Sequence, residues 1–124
     1  MPDRFVTLVD TSVWVDHLRK DDGDLRTLLE QEEVLCHPFI IGELACGTMK
    51  NRTEFLELLQ VLPQVLIAEH EEVMHFVNYR RLYGRGLSWI DLHLLASTSL
   101  SKARLWTRDR PLKRAAEQLR FNYE

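Results

Sequence analysis

Short apolar runs alternate with amphipathic stretches along the whole chain. Phe5 to Val9 is short, apolar and β-branched, which predicts a buried strand. Asp10-Thr11-Ser12 supplies N-cap side chains for a short helix carrying Val13, Trp14, Val15 and Leu18. After the polar stretch Lys20 to Asp24, Leu25, Leu28 and Leu29 recur at helical spacing to about Gln31. Val34-Leu35-Cys36 predicts a second strand, and Pro38 opens a helix to about Cys46, stopped by Gly47. Thr53 caps a helix with Phe55, Leu58, Leu59 and Leu62 on one face, ending before Pro63. Val65 to Ala68 predicts a weaker third strand, and Glu69 to Tyr83 a longer amphipathic helix stopped by Gly84-Arg85-Gly86. Ser88 caps a helix from Trp89 to about Ser99. A strand over Arg104 to Thr107, a helix over Pro111 to Leu119 and a last strand over Arg120 to Tyr123 complete the series. Such alternation implies an α/β fold, a parallel sheet covered on both faces, in which ligands sit beyond the carboxyl ends of the strands.

Four carboxylates break the apolar pattern. Asp10 closes the first strand, Glu43 interrupts Phe39 to Ala45, Asp91 interrupts Trp89 to Ala96, and Asp109 follows Leu105-Trp106-Thr107. An unpaired buried carboxylate is costly and is relieved by a cation, a hydrogen-bond network or protonation. Each acid alone has an ordinary explanation: Asp10 and Asp109 as helix caps, Glu43 as one half of an ion pair, Asp91 as a structural acid. Four on separate elements, all able to converge at one end of the sheet, suggest a shared divalent metal. Oxygen-only donors suit Mg²⁺ or Mn²⁺, one or two ions, which acidify a water and neutralise phosphate charge. Ser12 and Thr107 place hydroxyls near the same point.

Composition narrows the picture. At 124 residues, 45% apolar and 28% charged, the chain is expected to form a single globular domain over 1–124. No apolar run approaches the ~20 residues of a membrane helix, no signal-peptide pattern opens the chain, and Cys36 and Cys46 lack metal-ligand spacing. The expectation is a cytoplasmic protein with reduced core thiols. Residues 1–78 hold 6 Lys/Arg against 15 Asp/Glu, whereas residues 79–124 hold 10 against 4. The basic half offers Arg80, Arg81, Arg85, Arg108, Arg110 and Lys113 as candidate phosphate contacts. Nucleotide-binding glycine loops and zinc motifs are absent from the sequence. Trp14, Trp89 and Trp106 fall in apolar periodic segments and are expected in the core, and His93 is read as a surface or core histidine.

The motifs Val9-Asp10-Thr11-Ser12-Val13-Trp14, Gly42-Glu43-Leu44, Gly86-Leu87-Ser88-Trp89-Ile90-Asp91 with Leu95-Ala96-Ser97, and Leu105-Trp106-Thr107-Arg108-Asp109 together resemble a PIN domain, more narrowly a VapC-type toxin of toxin–antitoxin pairs. The resemblance runs from about Phe5 to Tyr123. It implies a three-layer α/β/α sandwich with a mainly parallel, roughly five-stranded sheet. It also implies a Mg²⁺- or Mn²⁺-dependent endoribonuclease, usually a homodimer, silenced by an antitoxin whose tail covers the active-site groove. Asp10, Glu43, Asp91 and Asp109 take the family's acidic positions, with Asp10, Asp91 and Asp109 as metal ligands and Glu43 as a ligand or water-orienting group. Ser12 and Thr107 take its hydroxyl positions. Two rivals stand beside it. An aspartyl phosphatase or phospho-acceptor would use Asp10 as nucleophile, but Ser12 occupies the position where a second Asp is wanted. A non-catalytic module would use the acids only to bind a basic peptide.

Overall fold

A computed structural model describes residues 6–123. Phe5, where the first expected strand begins, lies outside the described residues. Among the described residues three parallel strands form the centre of the sheet in the order β2-β1-β3: β1 (Thr7–Val9), β2 (Val34–Leu35) and β3 (Arg104–Trp106). Thr7 pairs with Val34 on one side and Arg104 on the other. Parallel bridges from Cys36 to Gln64 and from Leu105 to Asn122 add an outer position on each edge. Among the described residues seven helices lie between and around the strands: α1 (Thr11–Arg19), α2 (Gly23–Glu30), α3 (Pro38–Ala45), α4 (Arg52–Val61), α5 (His70–Arg80), α6 (Trp89–Leu100) and α7 (Arg110–Gln118). The architecture is the expected α/β sandwich. Its core joins Leu8 and Val9 of β1, Val13 and Trp14 of α1, Leu94 and Leu95 of α6, Leu105 of β3 and Leu112 of α7, all buried. Helix α6 is buried from Leu92 to Thr98, which explains why Asp91 sits in an almost continuous apolar run.

Several expected boundaries shift for identifiable reasons. Val65 to Ala68 does not form a strand. The backbone N–H groups of Leu66 and Ala68 donate instead to the Ser101 and Ser97 hydroxyls, at 2.8 and 3.2 Å. The expected last strand shrinks to the single bridge at Asn122. Helix α4 begins at Arg52 behind Asn51, which is left-handed and makes no side-chain cap, so Thr53 is not its cap. Helix α5 ends at Arg80 because Arg81 turns left-handed, with φ of 55°. The Leu82 N–H then bonds back to the Val77 carbonyl, Leu82 is buried, and Tyr83 faces solvent. Trp14 and Trp106 are core residues as expected, but Trp89 is exposed because it occupies the first position of α6, at the helix end. Likewise Cys36 is buried, its thiol pushed up to about 11 by burial, whereas Cys46 at the end of α3 is exposed.

Candidate active site

The parallel strands direct the chain toward one end of the sheet, and the acids follow from that direction. Asp10 is the residue after β1, and its N–H donates to the Trp106 carbonyl at the end of β3. It caps α1 and is buried. Its Oδ2 accepts from the Ser12 Oγ–H and the Thr107 Oγ1–H, both at 2.8 Å, and more weakly from the Ser12 N–H at 3.4 Å. Each hydroxyl is in turn an acceptor, Ser12 from the Arg108 N–H at 3.0 Å and Thr107 from the Asp109 N–H at 3.1 Å. The two hydroxyl protons are therefore directed to the same carboxylate oxygen. Oδ1 of Asp10 has no hydrogen bond among the described residues.

Asp109 caps α7, its Oδ2 accepting from the Leu112 N–H at 3.2 Å. Asp91 closes a capping box at the start of α6: its Oδ2 accepts from the Ser88 N–H at 3.0 Å while its own N–H donates to the Ser88 hydroxyl at 3.1 Å. Burial, opposed by these Ser88 hydrogen bonds and reinforced by the negative charges of Asp109 and Asp10, holds the Asp91 carboxyl above its ordinary range. Asp10, Asp91 and Asp109 thus lie within electrostatic reach of one another. Glu43 stands at the rim on α3. It is exposed, and its Oε1 accepts from the Thr11 hydroxyl at 2.7 Å, which ties α3 to the residue after Asp10. A cleft of about 380 Å³ adjoins this pair, lined in part by Val15, Leu18, Leu44 and Met49.

None of the four carboxylates forms an ion pair among the described residues. Nor do any three His, Cys, Asp or Glu side chains among those residues, as placed, stand close enough together to hold a metal ion. The fit to a metal therefore rests on donor chemistry: hard carboxylate oxygens from three elements, mutually repelling and without a protein counter-charge, are what a hard divalent cation relieves.

The candidate basic residues come from several elements, and Arg85 shares a cleft with Pro111 and Arg114 of α7. Arg108, next to Asp109 in sequence, sends its guanidinium to Asp16 and Asp22, each at 2.6 Å, and lies 5.6 Å from the Trp106 ring centroid. Those two acids raise its pKa, and Arg108 lowers that of Asp22. Arg85 bonds the Gln118 side chain, Arg80 and Arg81 end α5, and Arg110 and Lys113 start α7. Thr11 is the contact that sequence reasoning missed. Its place beside Asp10 hints at it, but its partner lies 32 residues away.

Comparison with known proteins identifies the family and the fold. The family model described as PIN domain matches residues 7–118. Ribonuclease VapC32 from Mycobacterium tuberculosis, in strains CDC 1551 / Oshkosh and ATCC 25618 / H37Rv, is 50% identical over 112 residues, covering 90% of each chain. The crystal structure of PAE2754 from Pyrobaculum aerophilum superposes with a TM-score of 0.61 at 17% identity, covering 94% of this chain and 87% of that one, a likeness of fold. With the match spanning every strand and all four acids, the chain belongs to the PIN domain family and is of the VapC type.

Proposed function

We propose that this chain is a Mg²⁺- or Mn²⁺-dependent endoribonuclease toxin, cytoplasmic and homodimeric, held inactive by a cognate antitoxin. The observation that carries the reading is the trio Asp10, Asp91 and Asp109: three carboxylates from three elements, unpaired with any cation among the described residues, with burial first and the charges of Asp109 and Asp10 after it holding the Asp91 carboxyl above its ordinary range. The 50% identity to a protein named as a ribonuclease supports it. Asp10, Asp91 and Asp109 would hold the metal, one ion or two, with Glu43 as a further ligand or as the group that orients the attacking water.

When bound, the cation supplies an acidified water and neutralises charge on the phosphate. The chain's own residues supply position. Ser12 and Thr107 hold one oxygen of Asp10 and leave the other to bind. Ser88 holds Asp91 from the backbone, and Thr11 steadies Glu43. Water would attack phosphorus in line as the P–O3′ bond breaks, and the departing 3′ oxygen would take up a proton, leaving a 5′-phosphate and a 3′-hydroxyl. That chemistry uses no 2′-hydroxyl, so preference for RNA resides in the groove. The cleft beside Glu43, which Arg19 and Lys50 line together with Val15, Leu18, Leu44 and Met49, offers a seat for the antitoxin where it would also cover Glu43.

The test is cleavage of total RNA by partner-free protein with Mg²⁺ or Mn²⁺, beside EDTA and Asp91→Asn controls, with 5′ ends mapped. Cutting lost in both controls is expected. Cutting that survives in Asp91→Asn would sink the assignment.

A further inference from the structure

We infer that Arg85 and Arg114 form a phosphate subsite, set off from the acids along α7, that grips a phosphodiester of the RNA other than the one being cut. This rests on the nuclease reading and adds a second point at which the substrate is held. A cleft of about 270 Å³ lies between the turn at residues 84–86 and α7, lined by Arg85, Pro111, Arg114, Ala115 and Gln118. Two arginines line it and no carboxylate does. Its size falls below the roughly 300–1,000 Å³ of pockets for whole small molecules and suits a single anionic group. The planar fork of an arginine matches two oxygens of a phosphate.

Both arginines are positioned without being neutralised. Gly84 and Gly86 flank Arg85 with φ of 71° and 74°, a left-handed backbone, and a Cβ at either would meet open space. The glycines are therefore needed for the sharp turn itself, which holds Arg85 between buried Leu82 and half-buried Leu87. The Arg85 guanidinium donates to the side-chain oxygen of Gln118, a neutral partner that fixes its direction and leaves its charge. Arg114 is exposed and stands one turn before Gln118 on the same stripe of α7. Neither arginine forms an ion pair among the described residues, in contrast to Arg108, which two aspartates hold.

Both walls of the cleft lead to the acids. Asp109 is the cap of α7, and Pro111 is the second residue of that helix. The turn at 84–86 continues through Leu87 into Ser88, whose N–H holds Asp91. The negative charge of Asp109 acts on Asp91, so the two walls meet at the acids. At about 1.5 Å of rise per residue, Arg114 stands about 7.5 Å and Gln118 about 13.5 Å beyond Asp109 along the helix axis. A phosphate in the cleft is therefore a neighbour of the scissile one on the same strand. The acids repel a polyanion wherever no cation intervenes, and positive charge fixed a step away offsets that repulsion and aligns the strand.

The test measures cleavage kinetics across a range of salt for wild type, Arg85→Gln, Arg114→Gln, the double variant and Arg85→Lys, with circular dichroism to confirm folding. The substrate is RNA containing the mapped cut site, made either unmodified or with one neutral methylphosphonate linkage moved along the strand. Each glutamine variant is expected to raise KM roughly two- to fivefold at low salt, as for exposed ion pairs, and the double variant about tenfold, with kcat little changed. The slope of log KM against log salt is expected to flatten by about 0.7 in the double variant, the share of one phosphate on a single strand. Arg85→Lys, which keeps the charge and loses the fork, is expected to fall between wild type and Arg85→Gln. In wild type one linkage away from the cut is expected to raise KM when neutralised, and the same linkage is expected to cost the double variant nothing further. Unchanged KM and salt slope in the double variant would overturn the subsite and leave the nuclease reading standing. A methylphosphonate penalty equal in wild type and double variant at every position would overturn it equally, since the arginines would then meet no particular phosphate. The wild-type scan decides the matter even where a variant fails to fold, because a flat scan leaves no held phosphate. Failure of wild type to cut RNA would remove the nuclease reading and the subsite together.

Discussion

His37 offers a perturbation whose size follows from its surroundings. Its ring is buried beneath Phe39, and its Nδ1 accepts the Phe39 N–H at 2.9 Å as the N-cap of α3. Its Nε2 is buried with no hydrogen-bond partner. Protonation would place a charge in an apolar pocket next to His93 and remove the cap acceptor, and burial first, then His93, brings the pKa down from 6.5 to about 4. The folded value lies below the unfolded one, so between those values the unfolded chain binds more protons. The stabilisation is complete above pH 6.5 and is lost as pH falls toward 4. Linkage puts the loss at about 2 kcal/mol between pH 7 and pH 5. His37→Asn keeps a cap acceptor and cannot titrate. His93, whose pKa is also lowered, and Asp91, whose raised pKa acts with the opposite sign, titrate in both proteins and cancel in the comparison. Urea unfolding of both proteins at pH 5, 6 and 7 is the assay. The variant is expected to be less stable at pH 7, where it lacks the ring's packing, with the gap closing by about 2 kcal/mol at pH 5. Parallel pH profiles would refute the reasoning.

Other perturbations have expected outcomes. Asp91→Asn keeps an acceptor for the Ser88 N–H and removes a charge that burial and two neighbouring acids disfavour; thermal melts in EDTA at pH 7 should match or exceed wild type, while Mn²⁺ should raise the wild-type Tm and move the variant less. Ser12→Ala and Thr107→Val each delete one hydroxyl donor to Asp10, and denaturant titrations should show a loss of about 1.5–3 kcal/mol for each, as for bonds to charged groups, together with reduced cleavage. Arg108→Ala breaks two partly exposed ion pairs and should cost about 1 kcal/mol at low salt and less at high salt by the same titration; a large rise in KM for RNA with unchanged stability would instead assign Arg108 to the substrate.

Local features of the chain were legible because their causes are local. Asp10 and Asp109 stand out as charges closing apolar runs, and the same residues are the caps of α1 and α7. The Ser88–Asp91 capping box is written within four residues. What escaped reading depends on partners far along the chain. Nothing near Val65 to Ala68 announces that Ser97 and Ser101 take its N–H groups and leave it out of the sheet. Arg108 looks like a neighbour of Asp109 in sequence, yet its partners lie 92 and 86 residues earlier. The helical period favours Tyr83 as an inward residue, but a single left-handed turn at Arg81 substitutes Leu82. Exposure of Trp89 was hidden for a related reason, since an apolar residue in the first turn of a helix reads the same whether that turn is covered or open.

The distribution of positive charge bears on what the acids are for. A fold selected for stability alone would set a cation among mutually repelling carboxylates or replace them with apolar side chains. Here the arginine beside Asp109 is engaged with Asp16 and Asp22 instead. Asp10 is held by two hydroxyls and Asp91 by a hydroxyl-capped backbone turn, all neutral donors. Neutral donors fix where a carboxylate points without cancelling its charge. The arrangement tolerates the burial, and with it the neighbouring charges, that disfavour the ionised Asp91 carboxylate, and a cation from solution is the partner that would relieve both.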